Sequence, residues 1–440
     1  MSSVSRPLAA ARRAAADPIT RSWAIVTAGS VARLGLGFVA SVLIARELGV
    51  GDFGVYVSLG AVASIVGAVA DFGLTEAAVK RIAEVWSGDE TAARERGQVF
   101  FWVRLAAAAG VALMGVLLFL AFAAVVPANT LPVPLVALTL GGVVAAALSG
   151  AVSAMLQAIG RFGRLSAVML VNSGATALAA LALAYLGRLT VVTTLVVLGI
   201  GASFLSFGVG RYLLPRGWTL RPPTLARVRD ETRRLARFAG WVGAANSLAM
   251  LAAYLDVLLV GWWSGATSAA FYGLALNLAN KVDVVNQSLH AVTLPAAAGV
   301  FQADALLAYI RRSLLRSAAI SVILLPLFWL AAPFIGFFYG ATYLPAATTF
   351  GLLLAVVIFD IFTQPMLLLA LPLNEPRLLA AADAVRVVVL VAVGVWLIPL
   401  YGANGAAIAR LIARCVGVAL VLAILAVRYR QGALRFERRP

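Results

Sequence analysis

Asn280, Asp283, Gln287 and His290 follow one another at spacings of 3, 4 and 3 inside the long apolar stretch 268–298. That spacing puts all four on one face of a helix. Asn277, Lys281 and Ser288 form an adjacent stripe. Carboxylate, amide, imidazole and ammonium groups in this arrangement can hydrogen-bond a polar ligand, bind a cation or pass a proton. They can equally form a polar contact between helices, and the sequence leaves both readings open. Other apolar runs carry ionisable residues too: Arg33, Asp71, Asp256, Asp360, Asp383, Arg386, Arg410 and Arg414.

A second pattern with chemical meaning is Gly49-Val50-Gly51-Asp52-Phe53-Gly54, a G-x-G-x-x-G sequence. In a dinucleotide-binding fold this motif follows a short strand and opens a helix within a βαβ unit. Here it follows an apolar run long enough to be a helix, so it reads as a turn between helices, its glycines supplying positive φ angles. No G-x-x-x-x-G-K-[ST] phosphate loop occurs anywhere in the chain. Its one histidine and one cysteine cannot build a structural zinc site, which takes four such ligands. Cys415 lies in an apolar run and reads as a small buried side chain.

The elements that position these residues follow from composition. The chain has 440 residues, 62% hydrophobic and 12% charged, with a mean hydropathy of +0.98. Soluble domains carry roughly 25% charged residues, so this chain cannot clothe itself for water and must be polytopic in a membrane. A membrane helix needs ~20 mostly apolar residues. Runs and breaks give twelve: 22–45, 55–79, 99–126, 132–158, 163–186, 190–213, 237–263, 268–298, 314–338, 345–371, 377–399 and 403–428. The residues ahead of the first run include no apolar segment of signal-peptide type.

Arginine and lysine set the orientation. Of the 35, 27 fall in the termini and in alternate loops, and only Arg46 and Arg188 fall on the opposite side. Both termini are therefore expected in the cytoplasm, with the net charge of +17 facing anionic lipid headgroups rather than nucleic acid. The polar connector 214–236 contains Pro222-Pro223 and a basic amphipathic stretch that reads as an interfacial helix. It separates an N-terminal six-helix lobe, 1–213, from a C-terminal one, 237–440. The fold class expected is all-α: twelve transmembrane helices in two pseudo-symmetric lobes around a central cavity.

Shifting residues 43–59 by 216 positions lays them on 259–275, with Leu43 on Leu259, Gly49 on Gly265 and Tyr56 on Tyr272. Both copies join the first and second spans of a six-span half. A shift of an even number of spans makes the halves parallel repeats. The second copy retains only the first of the three glycines, which further disfavours a nucleotide loop.

The stretch "ARELGVGDFGVY", followed by "DFGLTEAAVKRIAE" at 71–84, resembles the start of polysaccharide exporters of the O-antigen flippase type, in the multidrug/oligosaccharidyl-lipid/polysaccharide exporter superfamily. The segment "RRLARFAGWVGAANSLAMLAAYLDVLLVGWW" resembles the seventh span of that family. The resemblance covers both halves. It implies movement of polyprenyl-pyrophosphate-linked sugars from the inner to the outer leaflet by alternating access of the two lobes. It also implies the cytoplasmic membrane of a bacterium or archaeon, and sugar-lipid, membrane-lipid and pathway-enzyme partners (a polymerase and glycosyltransferases), with the transporter itself a monomer.

Intramembrane charges cost at least ~2.5–3.5 kcal/mol each near the centre, so each must face a cavity or a partner. At 1.5 Å per residue, Arg33 lies ~18 Å and Lys281 ~20 Å from the outer end of its span. Two cations near the midplane suit a pyrophosphate, with Asn277, Asn280 and Gln287 as further substrate contacts. Lys281 can instead pair with Asp283 or Asp256. Asp256, Asp283 and His290 are candidates for proton or sodium coupling, because a carboxylate removed from water, or an imidazole, is the kind of group that takes up such an ion. Asp383 with Arg386, and Asp360 with Arg414, read as neutralising pairs. No cofactor is expected. Rival readings are a peptidoglycan-precursor flippase or a drug/cation antiporter of the same superfamily and, more remotely, a polytopic glycosyltransferase or ligase. The short external loops carry too few ionisable groups for such an enzyme.

Overall fold

A computed structural model describes residues 18–125, 131–298, 303–367 and 376–430. Among these residues every regular element is helical. In order they are α1 (Pro18–Asp71), α2 (Leu74–Trp86), α3 (Glu90–Val125), α4 (Val133–Ala158), α5 (Phe162–Tyr185), α6 (Val191–Leu213), α7 (Leu225–Ala298), α8 (Ala303–Leu324), α9 (Pro326–Tyr339), α10 (Ala346–Leu367) and α11 (Pro376–Arg430). Nine helical stretches of the described residues are long and apolar enough to cross a membrane. Three of them, within α1, α7 and α11, run 45, 46 and 47 residues, about twice what a ~20-residue crossing takes.

Each of those three is broken near its middle by a glycine. Gly49 sits at φ 68°, ψ 175° and Gly265 at φ 81°, ψ 175°. This region is open essentially to glycine alone. The two bends lie 216 residues apart with nearly the same backbone, so the sequence repeat is also a structural one. Gly402 makes the third bend, at φ 56°. Of the remaining motif glycines, Gly54 has a packing role: a Cβ there would lie 1.8 Å from the Ala266 carbonyl oxygen. Around Gly51 there is open space.

The chain divides into two compact units: Met1–Leu48 with Ala63–Ser247, and Gly49–Val62 with Leu248–Pro440. Connector 214–236 thus groups with the first unit, and the start of the second span with the second. The first unit is built on a buried cluster that includes Ile82, Phe100, Met155, Leu156, Trp218 and Leu235. In it the second span stops at Asp71, short of the expected 79. The apolar run continues, but Phe72 (φ 37°) and Gly73 (φ 74°) turn the chain, and Leu74–Trp86 forms a separate amphipathic helix. The turn lies tight against α7, where a Cβ on Gly243 would come within 2.2 Å of the Phe72 carbonyl oxygen.

The connector is not a free-standing interfacial helix. Residues 214–224 run without helix and Leu225 begins a helix that continues unbroken into the seventh span. The non-helical part is anchored by side chains. Trp218 is buried against Gly97, Gln98 Nε2 donates to Thr219 Oγ1 at 2.5 Å, and Trp102 Nε1 donates to the Leu220 carbonyl at 3.1 Å. Arg81 forks onto Glu231 at 2.7 and 3.0 Å. Arg104 pairs with Asp71 at 3.2 Å.

In the second unit, Phe53 meets Tyr343 edge-on at 5.8 Å, and Tyr343 also meets Phe271 and Tyr339. Burial there pushes the Tyr343 phenol up from its ordinary value, so it stays neutral. The ninth span is interrupted at Leu325, where Pro326 lacks the N–H to continue the ladder and starts α9. Cys415, expected to be buried, is exposed: its face of α11 points away from the core.

Candidate functional site

Asp256 lies in the first half of α7 and is fully buried. A carboxylate there must be satisfied within the protein. It accepts the Tyr272 hydroxyl at 2.5 Å, Arg410 Nη1 at 2.6 Å and the Val257 N–H at 2.9 Å. Arg410 Nη1 also donates to the Ala253 carbonyl at 3.1 Å. Four residues along α11, hence on the same face, Arg414 grips Asp360 of α10 with Nε and Nη2, the latter at 2.5 Å. Arg386 Nη1 reaches Asp383, one turn before it, at 2.6 Å. Two of these three ion pairs are the neutralising pairs expected from the sequence. The third joins Asp256 to a residue 154 positions away.

The three arginines and Asp360 line a cavity of about 490 Å³ within the second unit, in the size range of small-molecule pockets. Asp360, Arg386, Arg410 and Arg414 line one part of it, and Asn280, Asp283 and Gln287 of α7 another. Met250, Tyr254, Leu276, Leu353 and Val356 supply apolar wall. Three members of the polar arc of the eighth span therefore face a hollow. Asp283 receives only amide donors, Asn286 Nδ2 at 3.2 Å and Gln287 Nε2 at 3.5 Å. Among the described residues it has no ion-pair partner. The Oδ1 of Asn286 is buried without a hydrogen bond.

The other residues singled out from the sequence fall elsewhere. Lys281 bonds Asn277, one turn away, rather than Asp283 or Asp256, and neither Lys281 nor Asn277 lines the cavity. Arg33 belongs to the first unit, half-buried, with Nη1 3.0 Å from Met169 Sδ. The side chain of His290 lies outside the described residues. Sequence reasoning missed Arg386, Arg410 and Arg414 as cavity residues because it read Arg386 and Arg414 only as counterions and gave Arg410 no partner. The available signal was the four-residue spacing of 410 and 414 within one span. No group of three or more His, Cys, Asp or Glu side chains among the described residues is placed to hold a metal ion.

No curated protein matches the chain. Among solved structures, an inward-facing multidrug resistance MATE transporter of the MOP superfamily is similar at a TM-score of 0.72 and 16% identity, covering 92% of this chain and 96% of that one. The lipid II flippase MurJ in an inward closed conformation is similar at 0.68 and 14%, covering 91% and 87%. A MOP-superfamily transporter from Pyrococcus furiosus, described by the reversed polarity of its binding pocket, is similar at 0.51 and 16%, covering 94% of each chain. The fold is that of these transporters, and the protein is a multi-pass membrane protein. A family model described as "polysaccharide biosynthesis protein" matches residues 19–301, more than half of the chain, and the chain belongs to that family.

Proposed function

We propose that the protein is a flippase that moves a polyprenyl-pyrophosphate-linked oligosaccharide, one polysaccharide repeat unit, from the inner to the outer leaflet by alternating access. The observation that carries this reading is the family match over residues 19–301. The MOP-type fold and the charged groups held within apolar spans support it. In this reading each of the three glycine-broken helices crosses twice, which gives twelve spans and puts both termini in the cytoplasm of a bacterium or archaeon. Arg33 and Lys281 hold the pyrophosphate. Energy comes from a proton or sodium gradient or from downstream consumption of the product, without a bound cofactor. Partners are the sugar lipid, membrane lipid and the polymerase and glycosyltransferases of the pathway, with the transporter acting as a monomer.

The test is reconstitution of the purified protein in liposomes containing lipid-linked oligosaccharide extracted from the source cells. The expected result is that glycan protected in the inner leaflet becomes accessible to an added glycosidase faster than in protein-free liposomes. Equal rates with and without protein refute the reading. The likeness to the lipid II flippase supports a second reading, a peptidoglycan-precursor flippase. Faster movement of lipid II than of the oligosaccharide in the same liposomes would select it. Gradient-driven extrusion of a cationic dye, with neither lipid moved, would select a drug antiporter.

A further inference from the structure

The second-unit cavity is lined by three arginines, yet their charge is already balanced. Arg410 is held by Asp256, Arg414 by both oxygens of Asp360, and Arg386 by Asp383. Those three carboxylates and Asp283 together outnumber the guanidinium groups. A diphosphate entering this space would meet Asp283 and Asp360 with no surplus cation to offset them. Uncharged hydroxyls are a different case, since they gain charge-assisted hydrogen bonds from either sign.

Two groups keep bonding capacity toward the hollow. Asp283 accepts only two amide contacts, one of them at the outer limit of a hydrogen bond. Arg386 makes one hydrogen bond, through Nη1, and a guanidinium has five N–H donors in a rigid fork. The seat of Arg386 is built for it. A Cβ at Gly417, in the second half of α11, would lie 2.6 Å from its Cγ and 2.9 Å from its Cδ. The stem thus runs through a notch that exists because residue 417 has no side chain. Asn280 and Gln287 add amides that both donate and accept, and Tyr254 and Met250 add apolar surface for the faces of a ring.

We propose that this cavity is a sugar subsite. It takes an uncharged, hydroxyl-bearing ring of the translocated glycan, with Asp283 accepting from its hydroxyls and Arg386 donating to them, and it excludes the diphosphate. The inference rests on the flippase reading for the identity of its ligand.

The test uses the full chain in lipid nanodiscs and two probes. One is the neutral glycan released by mild acid and phosphatase from the lipid-linked oligosaccharide of the source cells. The other is polyprenyl diphosphate without sugar. Calorimetry on Asp283→Asn, Arg386→Gln and Gly417→Val is expected to show glycan binding weakened roughly tenfold or more, the scale of one charge-assisted hydrogen bond. Diphosphate binding is expected to stay within about twofold of the unsubstituted protein. Gly417→Ala, which keeps every charge and intrudes less, is expected to fall between the wild type and Gly417→Val. It also serves as the folded control if the valine variant fails to assemble. Undiminished glycan binding in all four variants overturns the subsite, as does a loss of diphosphate binding in its place. If wild-type protein moves the sugar lipid but binds no released glycan, the subsite alone fails. If it binds the glycan through these residues but moves no sugar lipid, the flippase reading alone fails.

Discussion

Replacing Arg410 by alanine isolates Asp256, a fully buried charge of the second unit. Asp256 is 0% exposed and Arg410 18% exposed, and the two lie 2.6 Å apart. Without the guanidinium the carboxylate keeps the Tyr272 hydroxyl and the Val257 N–H, two neutral donors for a charge that is fully buried in the intact protein. Stranding one member of a buried pair costs about 3–5 kcal/mol. For a unit of about 200 residues, each kcal/mol moves the melting temperature by roughly 2–4 °C, so a fall of about 6–20 °C is expected. Asp256→Asn should cost less, because the guanidinium left behind is partly exposed and the amide still bonds Tyr272. The double variant Asp256→Ala/Arg410→Ala should be less destabilised than the sum of its single alanine variants by about 1–3 kcal/mol. The assay is intrinsic tryptophan fluorescence during heating in detergent. An Arg410→Ala protein melting within about 1 °C of the wild type, or strict additivity in the cycle, would refute the claim that the pair is an interdependent buried unit.

Three further outcomes follow from other parts of the fold. Gly265→Ala places a Cβ in a backbone region closed to it and should cost about 1–3 kcal/mol, read as a lower melting temperature. Arg81→Ala removes a fork held at 2.7 and 3.0 Å between groups that are 19% and 13% exposed. It should raise the rate of proteolytic cleavage within 214–224, and an unchanged rate would show that the ion pair does not secure that segment. Arg33→Ala and Lys281→Ala should each slow movement of the sugar lipid in liposomes. Intact transport in both variants would remove them from the pyrophosphate site.

Span positions were legible in the sequence because apolar runs and turn residues are local signals. The expected 163–186 and 132–158 match α5 and α4 to within a residue or so at each end. The bends at Gly49 and Gly265 were legible through the repeat. The end of the second span was not, because hydropathy continues through Phe72 while the backbone turns there. Hydropathy senses composition and not dihedral angles. The partner of Asp256 was hidden for another reason. Asp360 with Arg414 and Asp256 with Arg410 draw on the same two residue types at separations of 54 and 154 positions. The sequence reading matched Asp360 with Arg414 but assigned Arg410 no partner, because spacing does not tie residues so far apart, whereas Asp383 with Arg386 is fixed by a single helical turn. The face of α7 that meets the cavity was legible from the 3-4 spacing of Asn280, Asp283 and Gln287. What lies across the cavity from it was not.

The repeat separates what the fold needs from what the second unit does. Under the 216-residue shift that superposes the two bends, Tyr272 has Tyr56 as its counterpart, but Asp256 falls on Ala40, Lys281 on Ile65 and Asp283 on Gly67. The bend is thus present in both copies and the charges in only one. A charge inside a span carries a standing cost, and the backbone device works without it, so the carboxylates of α7 are not part of what makes the hairpin. In the other direction, Arg33 falls on Ala249, which lines the cavity. An arginine at that position would fill space that the second unit keeps open. The halves share the bend and differ in their charges: the first has an arginine bonded to methionine sulfur, and the second has a cavity lined by three ion-paired arginines and by Asp283, a carboxylate held only by amides.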